Sequence, residues 1–198
     1  MLAEHIWVAM SGVVAAIVLA ALLMVRLSLK HRRAFRTAAE ELGLQWRQKG
    51  FLQPGRVKGE VDGVPIAIRT TTQGIGSFER LVTVVEAGIE PQLPIDVRLG
   101  RENVLSNLAH GFGVHDLEFG DARFDKLYRV TGSDADAVAR LFDEEARLAL
   151  VVLARDADDL HLDRRKLRWE QAGRVLDPKA LERVVKAAVF SVKALQRE

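Results

Sequence analysis

The densest group of reactive side chains in the chain lies in the segment HGFGVHD, residues 110–116. His110, His115 and Asp116 carry the imidazole and carboxylate groups that zinc binds in proteins. However, the two histidines stand five positions apart across two glycines, a spacing that matches no standard zinc motif, and no third histidine lies nearby. The segment therefore favours the end of a helix and a loop, and we expect no metal site.

The same region contains the residue types of a nucleophilic triad, Ser106, His110 and Asp116. A working triad needs its serine on a strained turn beside an oxyanion hole. Ser106 instead lies within a predicted helix, residues 101–110, and the chain has no G-x-S-x-G motif. The chain has no cysteine, which excludes thiolate nucleophiles, thiolate metal sites and disulfides. We therefore predict no catalytic residue and no cofactor.

Two further motifs have residue types that can contact anions. Gly74-Ile75-Gly76 has the glycine spacing of a phosphate-binding loop, but such loops lead into a helix, whereas this segment is predicted to join two strands. The second motif is a basic run beside Trp169 that consists of Arg164, Arg165, Lys166 and Arg168. Because side chains alternate between the two faces of a strand, these basic groups are divided between two faces. The run therefore favours a solvated hairpin over a site for headgroups or an acidic partner.

The segment 116–134 reads DLEFGDARFDKLYRVTGSD. Its Gly-Asp and Phe-Asp pairs, its aromatic residues and the Ser-Asp before a predicted helix resemble a family of bacterial membrane-anchored domains that has no established activity. The correspondence extends from Phe35 through the last helix and includes Gly59 and the hairpin at 162–173. The resemblance implies a transmembrane stretch followed by an α+β domain, and it brings no catalytic residues.

Within this motif the aromatic residues have the spacing of core residues. Phe124 and Tyr128 are four positions apart, and Phe119 precedes them. A short carboxylate side chain can accept hydrogen bonds from the free backbone N–H groups at the start of a helix. We therefore expect core packing by the aromatic residues, with Asp121 or Asp125 capping backbone groups.

The periodicity of the soluble part predicts runs of strands separated by helices. Asp62-Gly63 favours a type I′ turn between two strands, and Asp177-Pro178 begins the clearest helix. Helices are predicted at 30–42, 101–110, 134–146 (capped by Ser133) and from 178; strands are predicted at 44–47, 56–61, 64–70, 80–87, 95–99, 116–119, 127–131, 148–153, 158–162 and 166–170. We expect an α+β domain with an antiparallel sheet packed with helices, rather than a doubly wound nucleotide fold.

The N-terminal region contains the longest apolar run. Residues 6–25 carry no charge, and a helix of this length spans roughly 30 Å, the thickness of a bilayer's hydrocarbon core. No Lys or Arg precedes the run and Arg26 follows it, which favours a permanent anchor over a cleaved signal peptide. The predicted organisation is a tail at 1–5, a transmembrane helix at 6–25, a basic juxtamembrane helix at 26–43 and an α+β domain at 44–198.

Charge indicates the orientation of this anchor. Residues 1–37 contain five basic groups and one acidic group, whereas the rest of the chain contains 24 basic and 26 acidic residues. The positive-inside rule predicts a single-pass protein of a bacterial cell membrane with its N-terminus outside and its domain in the cytoplasm, the reverse topology being the alternative. The slightly acidic domain argues against nucleic acid as a partner. Anionic lipid headgroups are expected to contact Arg26, Lys30, Arg32, Arg33 and Arg36.

Small residues recur every four positions in the apolar run, at Gly12, Ala16 and Ala20. This spacing lets two membrane helices approach closely and predicts a helix–helix packing face, although Gly and Ala are also common in membrane helices generally.

These features favour a non-enzymatic, membrane-tethered domain that binds a protein partner or itself. The alternative is a small-ligand sensor or an enzyme whose site is dispersed in the sequence. That alternative requires His110, His115, Asp116 or Asp125 to converge in a cleft.

Overall fold

The computed structural model describes residues 2–48, 55–74, 79–100 and 115–197. Its α-helices are α1 (Leu2–Glu41), α2 (Ala122–Leu127), α3 (Ala135–Leu141), α4 (Glu144–Leu153) and α5 (Pro178–Leu195). Its strands are β1 (Gln45–Arg47), β2 (Arg56–Val61), β3 (Val64–Gln73), β4 (Arg80–Gly88), β5 (Val97–Gly100), β6 (His115–Leu117), β7 (Arg129–Gly132), β8 (Asp159–Asp163) and β9 (Lys166–Ala172). The predicted α+β class is confirmed.

The described strands form one antiparallel sheet in the order β1-β2-β3-β4-β9-β8-β5-β7-β6. The β2–β3 turn has positive φ angles at Asp62 (50°) and Gly63 (84°), which is the signature of the predicted type I′ turn. Strands β3 and β4 are paired so that Gln73 lies opposite Arg80. The Gly74–Gly76 segment therefore joins two strands, as predicted, and residues 75–78 lie outside the described ranges.

The C-terminal half of α1 packs with α5 against one face of the sheet. Phe35 and Ala38 of α1 are buried, and Leu181 and Val185 of α5 are fully enclosed. Because these side chains recur three or four positions apart, each helix presents one apolar stripe to the sheet. The stripe of α5 is therefore part of the core.

The segment 116–134 packs as the sequence predicts. The rings of Phe119 and Phe124 meet edge to face with centroids 5.5 Å apart, and both contact Phe142. The carboxylate of Asp121 accepts hydrogen bonds from the backbone N–H groups of Arg123 and Phe124, and Asp125 accepts one from the N–H of Phe119 at 3.1 Å. Both predicted capping aspartates thus hold backbone groups.

Two helix and strand predictions are wrong between residues 133 and 153. The predicted helix at 134–146 is divided into α3 and α4, and its N-cap is Asp134, which accepts from the N–H of Ala137, rather than Ser133. The predicted strand at 148–153 is the C-terminal part of α4. Asp143 caps this second helix by accepting from the N–H of Ala146, so the chain starts a new helix there.

Candidate functional site at the junction between α1 and the domain

Helix α1 is unbroken from Leu2 to Glu41 and joins an apolar exposed segment to the buried core. Its stretch Gly12–Glu41 is long and apolar enough, by length and composition, to cross a membrane. Large side chains from Val13 to Leu29 are exposed, whereas His31 and Phe35 are almost fully buried. The passage from exposed apolar surface to protein core thus occupies fewer than two turns of helix, between Leu29 and Phe35.

His31 makes the central contact of this junction. Its Nδ1 lies 3.0 Å from the carbonyl oxygen of Val175, and its Nε2 lies 2.9 Å from the hydroxyl of Thr70. A carbonyl can only accept, so Nδ1 carries the hydrogen, and Nε2 of the neutral ring accepts from Thr70. The ring also contacts Phe35, with centroids 4.4 Å apart. Both nitrogens of His31 are therefore engaged in holding α1 against the sheet.

The connection between β9 and α5, residues 173–177, is the other half of the junction. The Arg174 guanidinium donates to the hydroxyl of Ser28 on α1 at 3.0 Å. The Thr83 hydroxyl of β4 donates to the Gly173 carbonyl and accepts from the N–H of Val175. This connection is consequently bonded to α1 on one side and to the sheet on the other, and no flexible linker separates the apolar segment from the domain.

The residues predicted to contact lipids and a second helix all lie on α1. Arg32 is half-buried, and Arg36 forms an ion pair with Glu40 at 2.8 Å; Arg26, Lys30 and Arg33 are exposed. Gly12, Ala16 and Ala20 are exposed along the apolar segment. Their lipid and helix contacts stay predictions.

The residues weighed for metal or triad chemistry are only partly within the described ranges. Ser106 and His110 lie outside them, as does the predicted helix at 101–110. The backbone of His115 and Asp116 belongs to β6 and pairs with β7. Asp125 already accepts from the N–H of Phe119. Among the described residues, no group of three or more His, Asp or Glu side chains is arranged to hold a metal ion.

The basic run at 164–168 lies in the β8–β9 hairpin, and its Arg164, Lys166 and Arg168 have acidic neighbours. Glu86 of β4 lies 4.0 Å from both Lys166 and Arg168 and accepts from Arg69 at 2.9 Å. Burial alone would raise the pKa of Glu86, but the hydrogen bond and charge of Arg69, with Lys166 and Arg168, hold its pKa below its ordinary value. The hairpin interpretation of the run is confirmed.

The rest of this hairpin is also occupied by structural contacts. Arg164 donates to the Leu93 carbonyl and lies 3.4 Å from Asp96. Trp169 is buried in the core. On β8, the His161 ring donates a hydrogen bond to the carboxylate of Asp159, which raises the pKa of His161 above its ordinary value. The hairpin therefore presents mixed charge rather than a basic patch.

Sequence reasoning missed His31, Thr70 and Arg174 as junction residues. His31 stands within the basic run KHRR, whose other three members are predicted to contact lipid headgroups. A signal was present, because His31 precedes Phe35 by four positions and Ala38 by seven and thus lies on the buried face. Nothing local marks its partners, which are 39 and 144 positions away along the chain.

No protein-family model matches this chain, and no curated protein matches it. Among solved structures, the chain is similar to the crystal structure of the mycobacterial trehalose monomycolate transport factor A, TtfA, with a TM-score of 0.53 and 12% sequence identity. The similarity covers 84% of this chain and 94% of that one. At this level of identity the likeness shows a shared fold.

Proposed function

We propose that this chain is a membrane-anchored, non-enzymatic protein whose domain binds a protein partner, or a second copy, next to the bilayer. The observation that carries the proposal is the continuity of α1 from an exposed apolar segment into the core. A domain joined to its anchor without a linker has a fixed position relative to the membrane. Such a position suits a docking platform, because it limits the directions from which a partner can approach.

Several polar side chains are already occupied by hydrogen bonds within the fold, which supports binding over catalysis. The imidazole of His31 and the carboxylates of Asp125 and Glu86 each hold a hydrogen bond that stabilises the fold. The similar structure is that of a protein named as a transport factor. Since the two chains share a fold at 12% identity, transport is one context for the proposed partner.

Photo-crosslinking in native membranes tests the proposal directly. A photoreactive amino acid at Phe190 or Leu148, both well exposed on the domain, should give the same crosslinked neighbour in repeated preparations. The matched control is the same amino acid at Ile17, which is exposed on the apolar segment and should crosslink mainly to lipid. Monomeric protein without any reproducible neighbour would refute the proposal.

We propose the cytoplasmic face of a bacterial cell membrane as the location of the domain, from the basic residues that follow the apolar segment. The chain has no cysteine, so Leu148→Cys introduces a single reactive thiol on exposed α4. A membrane-impermeant maleimide should label this thiol in inverted vesicles and leave it unlabelled in spheroplasts. Labelling in intact spheroplasts would place the domain on the outer side.

Self-association through Gly12, Ala16 and Ala20 is the specific form of partner binding that the apolar segment favours. Ala16→Leu should lower energy transfer between labelled copies in vesicles, because the larger side chain separates the helices. Ala15→Leu, a neighbouring change off this stripe, is the control. Equal energy transfer in both variants would argue against a dimer through this face.

A further inference from the structure

Leu176 is an exposed apolar side chain in the connection between β9 and α5. Its side chain is 39% exposed, while Val175 beside it is buried. Isolated exposed leucines are ordinary on protein surfaces, so exposure alone assigns no role. The position of Leu176 relative to α1 is what distinguishes it.

The hydrogen bonds of this connection fix its height along α1. Arg174 donates to Ser28, and the Val175 carbonyl accepts from His31. On α1, Leu27 and Leu29 flank Ser28 and are each 44% exposed. The apolar surface of α1 therefore extends to the level at which the connection contacts it.

Helix length places this level at the membrane surface. Residues 6–29 of α1 span about 36 Å at 1.5 Å per residue, which exceeds the roughly 30 Å of a bilayer's hydrocarbon core. The exposed leucines at 27 and 29 thus fall at the boundary between acyl chains and headgroups. The connection lies beside them.

Strand directions place the same end of the domain toward the bilayer. Strand β9 ends at Ala172, which pairs with Val82 near the start of β4, and α5 then runs back alongside α1. The exposed Lys179 stands in the first turn of α5, and its backbone N–H donates to Asp177. The acidic side chains of Glu79 and Asp177 are also exposed at this end. Attraction to anionic headgroups would therefore come from individual basic side chains rather than from a net charge of the whole end.

We infer that residues 174–179 form a second contact with the bilayer, with Leu176 inserted at the boundary between headgroups and acyl chains and Lys179 against anionic headgroups. This inference rests on the proposed membrane anchoring by α1. An exposed apolar side chain with a basic side chain three positions away is a combination that binds the interfacial region, where acyl chains and charged headgroups are within reach together. The domain then touches the membrane at two places instead of one.

Depth measurement on the full chain tests this contact. Leu176→Cys carries a fluorophore, and the protein is placed in vesicles of phosphatidylcholine and phosphatidylglycerol with quenching nitroxides at a shallow or a deep acyl position. Leu148→Cys, exposed on α4, is the matched control, and Ile17→Cys reports insertion of the anchor. We expect the shallow quencher to reduce fluorescence at 176 several-fold more than at 148, and the deep quencher to act at 17.

Each outcome is decisive. If the label at 17 is quenched and the labels at 176 and 148 are quenched equally weakly, the second contact is refuted and the anchoring by α1 is kept. If the label at 17 is not quenched, the proposed anchoring itself is contradicted. A label at 176 that stays in water in vesicles but is shielded in native membranes assigns Leu176 to a protein partner and also overturns the lipid contact.

A second variant tests the headgroup contact without altering Leu176. Lys179→Glu should lower the quenching at 176 in vesicles that contain phosphatidylglycerol. Arg183→Glu makes the same charge change one turn further along α5, at an exposed position, and should lower it less. Equal effects of the two changes would overturn the assignment of Lys179.

Discussion

His31 lies among charged neighbours on α1, yet its ring is enclosed by Phe35, Thr70 and Val175, and both of its nitrogens are hydrogen-bonded. Because its two partners belong to β3 and to the β9–α5 connection, one side chain fixes how far α1 is rotated about its axis. The nearby basic residues Lys30 and Arg33 are exposed to solvent instead.

Replacement of His31 by alanine should therefore destabilise the domain. The change removes a buried ring and leaves the Val175 carbonyl without its donor, and we expect a loss of roughly 2–4 kcal/mol in the free energy of unfolding. Arg33→Ala, two positions along the same helix, should change it by less than about 0.5 kcal/mol. Denaturant titration of the detergent-solubilised chain measures both, and equal stability of the two variants would contradict the role of His31.

The stability of the fold should depend on pH through His161, and the sign of this dependence follows from its partner Asp159. Asp159 raises the pKa of His161 in the folded chain above the unfolded value of about 6.5. The pair therefore contributes its stability below about pH 6.5 and loses it as the pH rises through the folded-state pKa. NMR titration of the ring should show an elevated pKa that Asp159→Asn lowers. An identical titration curve in the variant would show that Asp159 is not the cause.

At the scale of elements, the glycine in the turn between β2 and β3 is required by its backbone conformation and not by a lack of space for a side chain. Gly63 has φ 84°, and a Cβ built there would meet no atom within 4 Å. Gly63→Ala should thus cost about 1–2 kcal/mol through left-handed backbone strain, without any steric clash. Asp62→Asn is the control, since asparagine tolerates this region. Thermal unfolding would contradict the argument if both variants melted together.

Most elements could be predicted because each is marked locally. Asp62-Gly63 specified the first hairpin, and Asp177-Pro178 with its apolar stripe specified α5. The apolar run at 148–153 was ambiguous, because a short run of buried residues suits a strand or a helix equally. In the structure the run belongs to a helix, which is capped by Asp143 and buries Ala146, Leu150 and Leu153 on one side. These side chains are buried because the helix packs on α5, a contact that local sequence does not reveal.

The junction could not be predicted to the same extent. The sequence predicts a basic helix directly after the apolar run, and the structure has a single helix over both. The bonding residues of the junction were not predicted, because Thr70, Arg174 and Val175 come next to α1 only through the pairing of β3, β4 and β9. Contacts across 39 to 146 positions leave no trace in local spacing.

At the scale of the whole molecule, one half of α1 is an exposed apolar segment and the other half packs in the core. A chain lacking residues 2–25 keeps Ser28, His31 and Phe35, and we expect it to be soluble with unchanged near-ultraviolet circular dichroism. A chain lacking residues 2–41 loses Phe35, Ala38 and Ala39 from the core, so it should unfold or aggregate. Equal behaviour of the two truncations would show that α1 is not part of the core.

With the proposed anchoring of α1 in a membrane, the unbroken course of this helix also makes the orientation of the domain depend on the thickness of the bilayer. An apolar helix longer than the hydrocarbon layer is accommodated by tilting, and the tilt decreases as the layer thickens. Because His31 and Arg174 bond the domain to the same helix, the sheet must follow that tilt as a rigid extension. A thinner membrane would then tilt the domain toward the lipid surface and a thicker one would raise it, so lipid composition would set which part of the domain's exposed surface a proposed partner can reach.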